Sequence, residues 1–285
     1  MRSVIALLIG LLTVPATAQD DPLARGDAAW ARRAEGQENG RAAVAPISEA
    51  VDAYEEALRR QPENLEVMWK LLRALYFRGE FTTDDPDAKQ EIFDRGRQVS
   101  EASLDRLAAR VGGREKLDEM TPEELCEAFR EVPEAVPIYY WGGVHWGLWG
   151  EVFGKIAAAR QGVGQRIRDD SLVVIGLAPP EYEDAGGYRL LGRLHTVAPK
   201  IPFFTGWIDR ETAIRELRRA VEIGPDEPYN AFYLADALLQ YQKNRKHEAI
   251  KLLRELSALE PRPRKLVEDS NIRERARALL WSVSK

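Results

Sequence analysis

The sequence predicts an all-α fold, a solenoid of helical hairpins with inserted loops and a C-terminal capping helix, on three observations. A spacing of apolar residues closed by proline recurs: Ala50, Tyr54, Ala57 and Pro62, then Ala213, Leu217, Ala220 and Pro225, then Ala249, Leu253, Leu256 and Pro261, at the same offsets each time. Apolar residues elsewhere follow the 3.6-residue period of a helix, as Val67, Leu71, Leu72 and Leu75 do. No stretch alternates long enough to argue for a strand.

The recurring spacing is that of the second helix of a tetratricopeptide repeat. Small residues let the two helices of a hairpin approach closely, and the proline stops the second helix because it cannot continue the hydrogen-bond ladder. The segment 64–79 after the first proline reads as the next first helix, and "NAFYLADALLQYQ" reads as another, with Tyr233, Ala237 and Tyr241 in packing positions. Two stretches, 80–88 and 196–210, lengthen turns that are short in a standard repeat, and loops on a rigid scaffold are where a specific surface can be built. At the end, "KLVEDSNIRERARALLWSVSK" reads as an amphipathic cap with Ile272, Ala276, Leu279, Leu280 and Val283 inward.

The first residues, "MRSVIALLIGLLTVPATAQD", carry one Arg, an apolar run from Val4 to Val14 and the triplet Ala16-Thr17-Ala18. This is the pattern of a cleavable secretory signal over 1–18, its apolar run shorter than the roughly 20 residues of a membrane span. The expected mature chain, 19–285, is then a single helical solenoid domain in an exported compartment, most simply a periplasm. With 41 basic against 46 acidic residues the chain is a poor nucleic-acid binder. Its lone Cys126 has no partner for a disulfide and reads as a small buried hydrophobe.

Two regions depart from a plain repeat. In "VPIYYWGGVHWGLWGEVFGKI", 136–156, one helical face carries Ile138, Trp141, His145, Trp149 and Val152, and another Tyr139, Gly143, Trp146 and Gly150. A helix apolar all round is buried or borders a cavity. Its glycines 142, 143, 147 and 150 together forgo roughly 4 kcal/mol relative to alanine, so close packing or room for a ligand must offset them. Both readings stay open: a central packed helix, or the aromatic wall of a pocket. The second region is "GGYRLLGRLHTVAPKIPFFTGWIDR", 186–210. As a helix from Gly187 to Ala198 it turns Leu190, Leu191 and Leu194 to the core, with Arg189, Arg193 and Thr196 outward and Tyr188, Gly192 and His195 on a stripe between. The Leu-Gly-aromatic positions of a repeat account for Gly192 and much of His195. The following "APKIPFFTGW" is a proline-stiffened loop whose aromatics, Phe203 and Phe204 among them, are expected to tuck onto the repeats or onto another subunit.

The signal pattern, the degenerate repeats, "YYWGGVHWGLWG" and "GGYRLLGRLHTVAP" followed by "AIRELRRAVEIGP" together resemble the T-component family associated with tripartite ATP-independent periplasmic (TRAP) transporters, over about 45–262. The resemblance implies an all-helical periplasmic protein with a central pore or pocket, able to form a homotrimer and to associate with a transporter's periplasmic solute-binding protein. It implies pore-facing positions within Tyr139–Trp149 and Tyr188–His195. One departure is Gln19, which stands where lipoprotein members carry an anchoring Cys.

The candidate ligand-binding set is therefore Tyr139, Tyr140, Trp141, His145, Trp146, Trp149, Tyr188, Arg189, His195, Phe203 and Phe204, with Arg189 and Arg193 available to a ligand carboxylate. With three histidines and no ligand spacing, neither a metal nor a cofactor is expected. No nucleophile, base and orienter recur together, and the acidic runs read as solvated faces, so catalysis is not expected. The function expected is a non-enzymatic adaptor or ligand relay holding a small organic ligand. The alternative is a generic exported scaffold that takes a peptide or protein segment in its concave groove.

Overall fold

Helix boundaries follow local capping chemistry. Asp21 and Pro22 start α1 (Pro22–Ala31), Asn64 accepts from Glu66 and Val67 N–H to start α3 (Leu65–Phe81), and Asp85 with Pro86 starts α4 (Pro86–Ala108). Between α1 and α3 lies α2 (Val44–Arg60), ending just before Pro62, as the repeat spacing predicts. This computed structural model describes residues 21–284; the expected signal segment 1–18 lies outside the described residues. Two short helices follow, α5 (Arg114–Glu119) and α6 (Pro122–Phe129), the latter held by a Thr121/Glu124 capping box. The aromatic-glycine helix is α7 (Ala135–Phe153). Next come α8 (Lys155–Arg160), α9 (Val163–Leu177) and α10 (Gly186–Val197). The chain closes with α11 (Arg210–Ile223), α12 (Pro228–Tyr241), α13 (Lys246–Ser257) and α14 (Leu266–Val283).

The architecture is the expected helical-hairpin solenoid, each long helix packing on the next, with α7 and α9 as a central pair between an N-terminal stack and a C-terminal one. Among the described residues there is no strand, only an isolated bridge between Glu38 and Arg41. Also among them, no helix is long and apolar enough to cross a membrane. The inward residues of the repeats, Ala50, Tyr54, Ala57, Ala213, Leu217, Ala220, Ala249 and Leu253, are all almost fully buried.

Two expectations about boundaries are corrected. The stretch 80–88 is not an inserted loop: α3 runs on to Phe81 and α4 begins at Pro86, so the turn is short. The real insertion is 109–134, carrying α5 and α6. The aromatic-glycine helix does not reach Ile156, because Gly154 adopts φ 104°, a region only glycine visits freely, and α8 starts afresh at Lys155.

The capping helix also does more than cover one end. α14 packs on α13 through Ile272 and Ala276, while Arg33 between α1 and α2 reaches Glu268 at 3.1 Å and the Arg264 carbonyl at 2.7 Å. The backbone of Gly40 lies so close that a Cβ there would meet the Asn271 nitrogen at 2.3 Å. The last helix thus returns to the first hairpin, and the superhelix closes around α7.

Candidate functional site

Inside that closure lies a cavity of about 210 Å³. One wall is aliphatic, from Leu148 of α7, Val163 and Ile167 of α9, and Leu190 and Leu194 of α10. The other is aromatic and polar: Tyr76 and Glu80 of α3, Trp141 of α7, Tyr229 and Tyr233 of α12, and Arg275 of α14. The glycines of α7 explain why there is room. At Gly143 a Cβ would meet Leu190 at 2.8 Å, so that glycine serves close packing against α10. At Gly147 the nearest atom is Ile167 at 3.8 Å, so that glycine opens onto the cavity. The two readings of this helix are thus realised side by side along it.

The sequence candidates divide. Tyr140, Trp141 and Arg189 line the cavity. The Trp141 ring lies 5.2 Å from Tyr76, and its indole Nε1 is buried without a hydrogen-bond partner. Arg189 does not point outward: it donates to the Tyr140 hydroxyl at 2.8 Å, to Asn230 Oδ1 at 2.9 Å and to the carbonyls of Glu183 and Asp184. Its donors are spent on holding the turn at 183–185, where three successive non-glycine residues have positive φ. Thr196, expected outward, is buried and donates to the Gly192 carbonyl. Arg193 is half-buried, paired with Asp236 at 2.7 Å and laid over the Tyr233 ring.

The remaining candidates lie elsewhere. His145 faces α3 and α4, not the cavity: its ring lies against Gly96 and Phe93 of α4, and its Nε2 is 2.8 Å from the Leu72 carbonyl of α3. Burial pushes its pKa down to about 4, so the ring is neutral and Nε2–H is the donor. Trp146 and Trp149 pack under the Arg97 guanidinium, and Trp149 stacks on Phe153. Tyr139 is buried beside Phe129, with its hydroxyl unpartnered. Tyr188 borders a small separate pocket with Pro179 and Pro180. His195 is a packing residue: its Nδ1 accepts from the Asp209 N–H at 3.0 Å, its ring meets Trp207, and burial lowers its pKa to about 4. The proline-stiffened loop tucks in only partly. Thr205, Trp207 and Ile208 pack inward, whereas Phe203 is fully exposed and Phe204 half exposed. Cys126 sits 3.7 Å from the Val173 carbonyl, and burial pushes its thiol up.

Sequence reasoning missed the polar wall. Tyr229 Oη is buried without a hydrogen-bond partner, and Tyr76 and Tyr233 line the same wall. Burial raises the pKa of Tyr76 and Tyr229 far above the usual phenol value, so both remain O–H donors. Burial also pushes the Glu80 carboxyl up, against the attraction of Arg275, whose Nη1 is 3.5 Å away. The only signal in the sequence was the spacing Tyr76-x3-Glu80 and Tyr229-x3-Tyr233, which sets each pair on one helical face.

No family model matches the chain, and no curated protein matches it. Among solved structures it is similar to yeast Tom70, at 14% identity and a TM-score of 0.28, over 98% of this chain and 67% of that one. A likeness of that TM-score carries no argument about this protein.

Proposed function

We propose that the protein is a non-enzymatic adaptor of the TRAP T-component type, exported, which holds a small organic ligand in the cavity around α7 and docks a transporter's solute-binding protein. One observation carries the ligand half. Trp141 Nε1 and Tyr229 Oη, on two different helices, are both buried and unpartnered at the wall of the same cavity. A buried orphan donor costs about 1–3 kcal/mol, and a bound acceptor removes that cost. The docking half is supported by Phe203 and Phe204, which project from the 198–209 loop rather than packing on the repeats. The one Ser or Thr hydroxyl in the cavity wall, Thr205, is committed to the Pro199 carbonyl, which favours binding over chemistry.

The test is a titration of the purified chain with apolar and acidic small molecules, followed by tryptophan fluorescence. Binding should shift the emission, and Trp141→Phe should abolish most of the shift. A chain that answers to none of them, yet binds an unstructured peptide, is the generic scaffold instead. Light scattering at micromolar concentration tests the homotrimer that the family resemblance implies: a monomeric mass rules it out.

A further inference from the structure

The polar wall points to a specific head group. Among the described residues, three arginines border the cavity. Arg189 is saturated by Tyr140, Asn230 and two carbonyls, and Arg193 is already neutralised, by Asp236 at 2.7 Å and Glu151 at 3.7 Å, and lies over the Tyr233 ring. Arg275 makes a single long hydrogen bond, to Glu80 at 3.5 Å, and otherwise only lies over Phe232. Four of its five N–H donors therefore remain for a ligand. Around it stand Tyr76, Tyr229 and Tyr233, and the Tyr229 hydroxyl is buried without a partner. The cluster has a surplus of donors, and the group that answers such a surplus is acceptor-only: a carboxylate.

The size of the cavity suits a compact molecule. An apolar cavity of about 150 Å³ holds benzene, so one of about 210 Å³ takes an apolar body of that order. Resting on the ligand-holding reading above, we propose that the occupant is a compact monocarboxylate. Its carboxylate sits on Arg275 and Tyr229 in place of Glu80, and its apolar body lies against Leu148, Val163, Ile167 and Leu194.

Displacing Glu80 has a consequence. The groups that face this carboxyl are Arg275 of α14, Lys89 of α4, Glu151 of α7 and Arg193 of α10, with the tyrosines 76, 229 and 233. Burial already favours its protonated form, and Arg275 is the only one of these to contact it. Once a ligand takes Arg275, Glu80 holds a proton, so binding takes up one proton. Affinity then falls as pH rises through the Glu80 titration, by at most tenfold per pH unit. The ligand carboxylate, titrating lower, stays ionised over that range.

The experiment uses the full chain and four probes: octanoate and phenylacetate, the neutral octanamide, and octylamine. The acids are expected to bind at least tenfold more tightly than octanamide. Their affinity should fall as pH rises through the Glu80 titration, and Glu80→Gln should bind them no more weakly and lose that dependence. Arg275→Gln should cost at least tenfold in acid affinity with the helical circular dichroism unchanged. If that variant does not fold, the acid-against-amide comparison on the unmodified chain still decides, and Tyr229→Phe should weaken the acids alone. Equal affinity for octanoate and octanamide, or a preference for octylamine, overturns the carboxylate and leaves the ligand-holding reading standing. Silence from all four, in fluorescence and calorimetry alike, overturns both.

Discussion

His145 shows what one buried side chain costs. Its ring is inaccessible, is held neutral by desolvation, and has a single hydrogen bond to the Leu72 carbonyl. The folded state binds a proton there only near pH 4, whereas the unfolded chain binds one near pH 6.5, so acid favours unfolding. The expected outcome is a stability that is complete above about pH 6.5 and lost as pH falls towards 4, by roughly 3 kcal/mol from this residue. Thermal melts across that range check it, and His145→Gln should flatten the slope. Tyr229 shows the opposite trade. Its orphan hydroxyl penalises the empty protein, so Tyr229→Phe should raise stability by about 1 kcal/mol in the absence of ligand, read from the urea midpoint. The same change should weaken binding of a carboxylate. A variant that is less stable when empty would mean that the hydroxyl has a partner after all.

Among the elements, the 198–209 connection is the least economical. Phe203 holds φ 67° while its side chain is wholly exposed, so the left-handed backbone gains nothing from packing. A non-glycine residue there costs about 1–2 kcal/mol, and Phe203→Gly should recover about 1 kcal/mol in a melt of the free protein. If the loop docks a partner, that same change should weaken the complex. The connection into α14 is anchored instead by charge. Asp269 is fully buried and accepts from the Arg262 backbone N–H, Nε and Nη2, and Arg262 also reaches Glu227. Asp269→Ala breaks a buried pair and should cost on the order of 3 kcal/mol, seen as a lowered denaturation midpoint with an unchanged slope.

Closure governs the whole molecule. An open solenoid unfolds as a row of neighbours, each repeat held only by the next. Here the Arg33–Glu268 pair, the Gly40–Asn271 contact and the Arg275–Glu80 bond join the last helix to the first two hairpins. The expected behaviour is one cooperative transition. Ending the chain at residue 261 should replace it with a broader, earlier one and abolish carboxylate binding, because Arg275 leaves with α14. A truncated chain that melts sharply and still binds would show that the closure is incidental.

The division between sequence and structure follows the range of the interactions. The repeat helices, their proline stops and their register were legible because each depends on residues a few positions apart: Ala50, Tyr54, Ala57 and Pro62 sit within two turns and a stop. The aromatic-glycine helix was recognisable as exceptional for the same reason, and Tyr140, Trp141 and Arg189 do reach the cavity. Which way a side chain faced was not legible where the helix has no polar side, so His145, Trp146 and Trp149 turned to α4 instead. Arg189 was read as solvated because its partners, Tyr140 and Asn230, are each more than 40 residues away. The polar wall was invisible on the same ground. Tyr76, Glu80, Tyr229 and Arg275 come from three helices nearly 200 residues apart, and each alone reads as an ordinary repeat residue. By itself the sequence determined the repeat helices and the register of their packing residues, which are local. Only the return of α14 to the first hairpins decided where the cavity lies and that Arg275 meets Glu80 in its wall, because that depends on the curvature summed over every hairpin.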